Sequence, residues 1–250
     1  MNHAKFRFNV KFDVFLSPDR RGVEFNYYFK SNPSLKHLIE GMRVPHTEVG
    51  HVIVNGESKS LAYWAQDGDV IEIYPVNCVK PWFTNSIPCN VQYVPPRFIL
   101  DNHLGKLAIY LRMFGFDTLY RNDYQDDELA ELASLQERIL LTRDRGLLMR
   151  REIVFGYFIR SMMLEEQVIE VLQRYQIIEI ISPFKRCLRC NDILLPVDKA
   201  LILDRLEPLT RKYYDEFHQC QGCLQVYWKG SHYERMLKII NVLKSKAGGQ

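Results

Sequence analysis

The chain of 250 residues carries 33 Lys and Arg against 30 Asp and Glu, with 47% apolar and 25% charged residues. It is longer than one typical domain, fits two or three small ones, and has the composition of an ordinary soluble globular protein. No apolar run approaches the length of a membrane span and the N-terminus MNHAKFRFNVKF lacks a signal-peptide core, so the expected location is the cytoplasm, with no membrane partner.

Phe6, Phe8, Val10, Phe12, Val14 and Leu16 alternate with mostly polar residues, a period of two that predicts a strand with one buried face. Pro18 to Gly22 is turn chemistry, and Phe25, Tyr27 and Phe29 resume the alternation on a second strand. Leu35, Leu38, Ile39 and Met42 follow helical spacing behind Ser34, a candidate N-cap. A strand over Val49–Val54 closes on Asn55-Gly56, a hairpin signal, and Asp67-Gly68-Asp69 turns into a last strand over Val70–Tyr74. Residues 1–80 therefore resemble a ubiquitin-like β-grasp (α+β) domain. The ending VNGESKSLAYWAQDGDVIEIYP looks like the sulfur-carrier branch of that fold. Such carriers end in Gly-Gly directly after the last strand, whereas here Val76-Asn77-Cys78-Val79-Lys80 follows and Gly248-Gly249 lies far away on the tail. The expectation is a docking or RNA-contact module with a protein partner of its own.

Residues 81–96 hold four prolines and no period, which predicts a linker. Beyond it, the apolar runs Phe98–Leu100 and Ile139–Leu141 lead to Asp101 and, past Thr142 and Arg143, to Asp144. Leu104, Leu107, Ala108, Leu111 and Phe114 mark a helix ending near Gly115, and Asp117–Tyr120 forms a short strand. Leu129, Leu132 and Ala133 put an apolar stripe on a helix that Asp126 or Asp127 caps. Strands over Arg138–Thr142, Ile153–Ile159 and Ile177–Ile181 are separated by helical pieces at Gly146–Arg151 and around Leu164–Leu172. Alternating strands and helices over 97–182 predict a parallel sheet. Its carboxyl edge is where open α/β folds build their sites.

Asp101 and Asp144 each follow a buried strand, where an unpartnered carboxylate would be costly. Each is either a metal ligand or the N-cap of the helix after it. Asp123, Asp126, Asp127 and Glu128 form a third acidic cluster between them. Carboxylates from separate segments suit Mg²⁺ or Mn²⁺, the ions that support phosphodiester hydrolysis. Arg143 and Arg145 flank Asp144 and are candidates for substrate phosphates or for ion pairs with neighbouring acids. Lys106 and Arg112 read as plain surface on the polar face of the first helix.

Residues 183–250 change character. Cys187-x-x-Cys190 and Cys220-x-x-Cys223 stand 29 residues apart, a spacing that predicts a tetrahedral four-thiolate zinc site with a structural role. Cys78 and Cys89 lack such spacing and read as buried or loop thiols. His218 and His232 are near enough to be alternative ligands. A closing helix runs from Ser231 to about Lys244, with Ser231 and Glu234 as a capping box. Tyr227, Trp228, Lys229 and His232 interleave aromatic and basic groups, a pattern suited to stacking bases and tracking phosphates. Alternatively, Tyr227 and Trp228 pack onto the preceding domain. Residues 182–250 hold 12 Lys and Arg against 7 acids, whereas 97–150 hold 8 against 9. An acidic middle beside a basic C-terminal part suits a polyanionic substrate held by one and cut by a metal in the other.

The segment LDNHLGKLAIYLRMFGFDT, with DDELAELA and RILLTRDRGLL, strongly resembles the Mut7-C family of PIN-like ribonuclease domains. The tail FKRCLRCN to CLQVYWKGSHYERM matches the zinc ribbon that follows that domain, and the β-grasp unit is similar to the ubiquitin-like domain fused to it in bacteria. The resemblance implies an α/β PIN-like domain over 97–182, a zinc ribbon with a C-terminal helix over 183–250, and metal-dependent RNA cleavage. It puts the family's acidic positions on Asp101, Asp127 and Asp144, with Asp123 or Asp126 as candidate fourth acid. The reading is a ribonuclease, expected to cut endonucleolytically, with Arg143, Arg145, Lys229 and His232 as substrate contacts. Its rivals are a non-catalytic RNA-binding adaptor and an α/β phosphatase; the Asp-x-Asp motif usual in the latter is missing from Asp101-Asn102-His103.

Overall fold

The computed structural model describes residues 1–76 and 95–249. Most of the expected linker, with Cys78 and Cys89, lies outside them. In chain order the β-grasp region holds strands β1 (Asn2–Phe8) and β2 (Glu24–Phe29), helix α1 (Leu35–Gly41), and strands β3 (Val49–Val54), β4 (Glu57–Lys59) and β5 (Val70–Pro75). The middle holds β6 (Phe98–Leu100), α2 (Gly105–Met113), β7 (Thr118–Leu119), α3 (Asp126–Leu135), β8 (Ile139–Thr142), α4 (Arg145–Leu148), β9 (Gly156–Phe158) and α5 (Leu164–Arg174). The end holds β10 (Leu194–Val197), α6 (Pro208–Tyr213), β11 (Phe217–Cys220), β12 (Val226–Trp228) and α7 (Ser231–Gly248). Of the described residues, 1–76 group with 125–160 in one compact unit, and 95–124 with 161–249 in another.

In the first unit, the N-terminal sheet has the order β2-β1-β5-β3-β4, parallel between β1 and β5 and antiparallel elsewhere. Phe6, Ile71, Ile73, Leu35 and Ile39 are fully buried in this β-grasp region. Ser34 caps α1 as expected, its hydroxyl accepting from the His37 N–H at 3.3 Å. The first strand is shorter than its alternation predicts. Asn9 accepts from the Lys11 N–H and starts a 3-10 turn at Val10–Phe12, so Phe12, Phe15 and Leu16 are buried from a turn instead of a strand. A side chain that offers the backbone a local bond competes with the ladder, and here it wins.

Strands β8 and β9 pair in parallel, and all four residues of β8 are buried. The β-grasp region is bonded to this half. Glu48 accepts from the Phe158 N–H at 2.7 Å and from the Arg160 guanidinium at 2.8 Å. His46 lies between the Glu40 carboxylate and the Ile153 carbonyl. Arg145 donates to the carbonyls of Val14 and Phe15 and lies over the Phe15 and Phe158 rings.

In the second unit, β6 and β7 pair in parallel, so both halves of the middle stretch are parallel α/β. Helix α2 ends where expected: Gly115 takes a positive φ of 95°, and Ser182 and Phe184 donate to the carbonyls of Phe114 and Met113. The expected strand over Ile177–Ile181 is instead a 3-10 turn at Ile178–Ile180. Gln176 is left-handed, and the Ile177 N–H returns to the Leu172 carbonyl, which closes α5 and leaves no extended run. Strands β10, β11 and β12 form a small antiparallel sheet over a core of Ile202, Leu206, Phe217 and Val226. Helix α7 packs along α5, with Lys246 paired to Glu165 at 2.8 Å. Its N-cap is Gly230 and not Ser231, which stands inside the first turn, so the expected capping box does not form. Among the described residues no helix is long and apolar enough to cross a membrane.

Candidate functional site

Asp144 and the start of the short helix α4 are shaped by local side-chain bonds to the backbone. The buried Thr142 hydroxyl accepts the Asp144 N–H at 2.8 Å, and Asp144 Oδ1 accepts the N–H groups of Gly146 at 2.6 Å and Leu147 at 3.3 Å. Asp144 is therefore an N-cap, one of its two expected fates. Both capping bonds fall on Oδ1, and Oδ2 takes no hydrogen bond from a described residue. The carboxylate can cap with one oxygen and ligate with the other.

Asp101 follows β6 directly and is 7% exposed. Its carbonyl accepts from the Leu104 N–H at 3.0 Å to open a 3-10 turn, but its side chain does not cap that turn. Tyr120 secures the same turn by donating to the Asn102 carbonyl at 3.0 Å.

The acids at the start of α3 divide by face. The helix is capped by Gln125, so Asp126, Asp127 and Glu128 all lie in its first turn and neither aspartate is the cap. Leu129, Ala130 and Ala133 are its buried residues. Asp126 stands three, four and seven positions before them, on the same stripe. Asp127 is a step of 100° away, its side chain 88% exposed and ion-paired with Arg150. Asp126 is exposed as well, but among the described residues it makes no such ion pair. Asp123 accepts from Arg121 at 3.0 Å, and that hydrogen bond holds its carboxyl below the ordinary value. Asp126, Asp127 and Asp144 belong to the first unit, Asp101 and Asp123 to the second.

The arginines beside Asp144 are engaged with backbone. Arg143 donates to the Ile159 and Arg160 carbonyls at 3.2 Å each, and Arg145 to Val14 and Phe15. In the C-terminal region, Lys229 is exposed and paired with Glu216 at 2.8 Å, and His232 is exposed in the first turn of α7.

The four expected thiols converge. All four sulfurs of Cys187, Cys190, Cys220 and Cys223 lie within 4.8 Å of one another. Cys187 and Cys223 are 3.5 Å apart, Cys190 and Cys220 3.2 Å. A tetrahedron with Zn–S bonds of about 2.3 Å has edges of about 3.8 Å, so this set fits a zinc ion. Each knuckle turns back on a left-handed residue after its second cysteine, Asn191 and Leu224. Burial pushes the Cys187 thiol up, but the Tyr227 hydroxyl and the N–H groups of Cys190 and Arg189 outweigh it and bring it down to about 7. Burial pushes Cys190 up to about 12. Among the described residues the four thiols are the group that could hold a metal through three or more close ligand atoms.

One residue read as plain surface is central. Arg112 is 3% exposed. Its guanidinium donates to the carbonyls of Thr118 at 2.9 Å, Leu188 at 3.1 Å, Arg189 at 3.0 Å and Tyr120 at 3.4 Å. It thus joins β7 to the first zinc knuckle. Burial lowers its pKa from the ordinary value, and Cys187 and Cys190 oppose that. A usable signal existed in its i+4 relation to Ala108, at the margin of the apolar stripe. Asn191 reinforces the junction, accepting from the Thr118 N–H and donating to Asp117, both at 2.8 Å.

Residues 96–240 match the family described as "Mut7-C RNAse domain", and residues 1–79 match "Mut7-C ubiquitin". No curated protein matches the chain. Among solved structures, one described as "Putative molybdopterin converting factor, subunit 1 from Pyrococcus furiosus" is 17% identical, covers 30% of this chain and 98% of its own, and has a TM-score of 0.24.

Proposed function

Because the chain belongs to the Mut7-C RNAse domain family, we propose that it is a cytoplasmic, metal-dependent ribonuclease that cuts RNA phosphodiester bonds endonucleolytically. The observation that carries the reading, beside the family match over more than half the chain, is the divided carboxylate of Asp144. Capping occupies one carboxylate oxygen, and the other stands by the carboxyl edge of a parallel strand, where open α/β folds build their sites.

In this reading Asp101, Asp144 and an acid from the start of α3 hold Mg²⁺ or Mn²⁺. Asp126 suits the third position better than Asp127, whose carboxylate is committed to Arg150. Carboxylate and water oxygens are the donors these ions prefer. A divalent ion so held would supply charge stabilisation on the phosphate and a more acidic attacking water. Thr142 fixes the backbone at Asp144, and the cap to Gly146 and Leu147 fixes the carboxylate plane. In this reading RNA phosphates are held mainly by the C-terminal region, where Lys229 and His232 are exposed. A structural zinc ion on the four thiols maintains that region. A protein partner of the β-grasp domain would use a face other than the one carrying Glu48.

The deciding experiment incubates the purified chain with mixed RNA and Mn²⁺ or Mg²⁺, beside Asp101→Asn and Asp144→Asn. Metal-dependent cleavage lost in both variants is expected. Cleavage that survives both would remove these residues from the reaction. The ion pair between Asp127 and Arg150 also favours a second reading, an RNA-binding adaptor with a weakened site; RNA binding with no cleavage under either metal would establish it.

A further inference from the structure

Outside the acidic strand ends, the Arg112 guanidinium of the second unit is buried and held by four hydrogen bonds. A cation buried this deeply needs compensation. Its four hydrogen bonds all go to carbonyl oxygens, two on β7 and its exit and two on the knuckle that carries Cys187 and Cys190. The two knuckle carbonyls are special. The Leu188 carbonyl shares its peptide group with the Arg189 N–H, and the Arg189 carbonyl shares its own with the Cys190 N–H. Both peptides lie between the two ligands of this knuckle, so fixing their oxygens fixes the spacing and orientation of Cys187 and Cys190.

We propose that Arg112 is a positioning residue of the zinc centre, fixing the Cys187–Cys190 knuckle through the Leu188 and Arg189 carbonyls and tying metal loading to the β6–α2–β7 segment. The proposal rests on the reading of the four thiols as a zinc site. A four-thiolate zinc centre carries a net double negative charge, and the nearby buried guanidinium offsets part of it. The same side chain is anchored at the other end to Thr118 and Tyr120, and Tyr120 in turn secures the turn after Asp101. Loss of the metal therefore loosens the grip on the strand-and-helix unit that presents Asp101, not only the ribbon.

The test uses the full chain and two variants, Arg112→Lys, which keeps the charge and loses the fork, and Arg112→Met, which keeps the stem alone. Zinc affinity is measured by competition with a chromophoric chelator, and the thiolate-to-metal charge-transfer band is recorded after Co²⁺ substitution. Partners of this kind around a metal site are worth about 10- to 100-fold in affinity. The expected order is wild type, then Lys, then Met, with the cobalt band moving to lower energy in the same order. Leu111→Ala, which removes neighbouring core packing only, is expected to lower the melting temperature while leaving the cobalt band in place. Should Arg112→Met fail to fold, hydrogen exchange of the unsubstituted chain with and without chelator reads the same link. Faster exchange over residues 105–120 on zinc removal supports it, and a change confined to 183–230 overturns it. Zinc bound with wild-type affinity and an unmoved cobalt band in both variants overturns the role of Arg112 alone. A chain that binds neither zinc nor cobalt overturns the zinc reading together with it.

Discussion

Glu48, only 1% exposed, accepts the backbone N–H of Phe158 at 2.7 Å, so a buried carboxylate of the β-grasp region satisfies a β9 donor that the pairing with β8 leaves over. Its other oxygen takes the Arg160 guanidinium. Removing one partner of such a pair leaves the others desolvated and unsatisfied. Glu48→Ala is expected to lower unfolding free energy by about 3 kcal/mol, and Glu48→Gln, which keeps one acceptor, by about 1 kcal/mol. Urea denaturation measures both, and losses below half a kcal/mol in both would mean the contact is incidental.

Asp144 separates its two roles by substitution. Asparagine keeps Oδ1 and therefore the cap, whereas alanine loses it at about 1 kcal/mol. Asp144→Asn should fold with near wild-type stability yet lose RNA cleavage, and Asp144→Ala should lose both. An asparagine variant that retains full cleavage would leave Asp144 as a cap alone.

The two aspartates that open α3 are distinguishable in the same assay. Asp126→Asn is expected to reduce cleavage about 10- to 100-fold, the scale of disturbing a metal site. Asp127→Asn should change cleavage by less than about threefold, and should weaken the fold by no more than about 1 kcal/mol, because its ion pair with Arg150 is on the surface. The opposite ranking would return Asp127 to the site.

Zinc retention should depend on pH in one direction. Four thiols must be deprotonated to bind, so the metal-free state holds more protons than the bound state and raising the pH favours binding. With Cys190 pushed up to about 12 by burial and Cys187 brought down to about 7, binding at neutral pH releases protons. Calorimetry in buffers of different ionisation enthalpy should detect that release, and chelator stripping should be faster at pH 6 than at pH 8. Stripping independent of pH would argue against thiolate ligation.

Much of this architecture is legible along the chain because the signals are local. Alternation in Phe6 and Phe8, the Asn55-Gly56 turn, the Cys-x-x-Cys pairs and Gly115 each declare a conformation through the chemistry of a few adjacent residues. Where the local reading failed, a neighbouring group competed: Asn9 ended β1 early, Gln125 took the cap from the aspartates, and Gly230 took it from Ser231.

The sequence by itself determined the β-grasp order, the strand ends at Asp101 and Asp144, and the thiol set, since periodicity and ligand spacing are one-dimensional properties. Only the tertiary structure decided which polar groups are buried and against what. Arg112 reads like any helix-surface cation until the knuckle carbonyls close over it, and Glu48 like any turn acid until Phe158 donates to it. An added Cβ on Gly115 would lie 2.1 Å from the Ser182 carbonyl oxygen, a constraint set by a segment 67 residues along the chain. Burial of a charge costs free energy that only specific, distant partners offset, and those partners are chosen by packing, which sequence spacing does not encode.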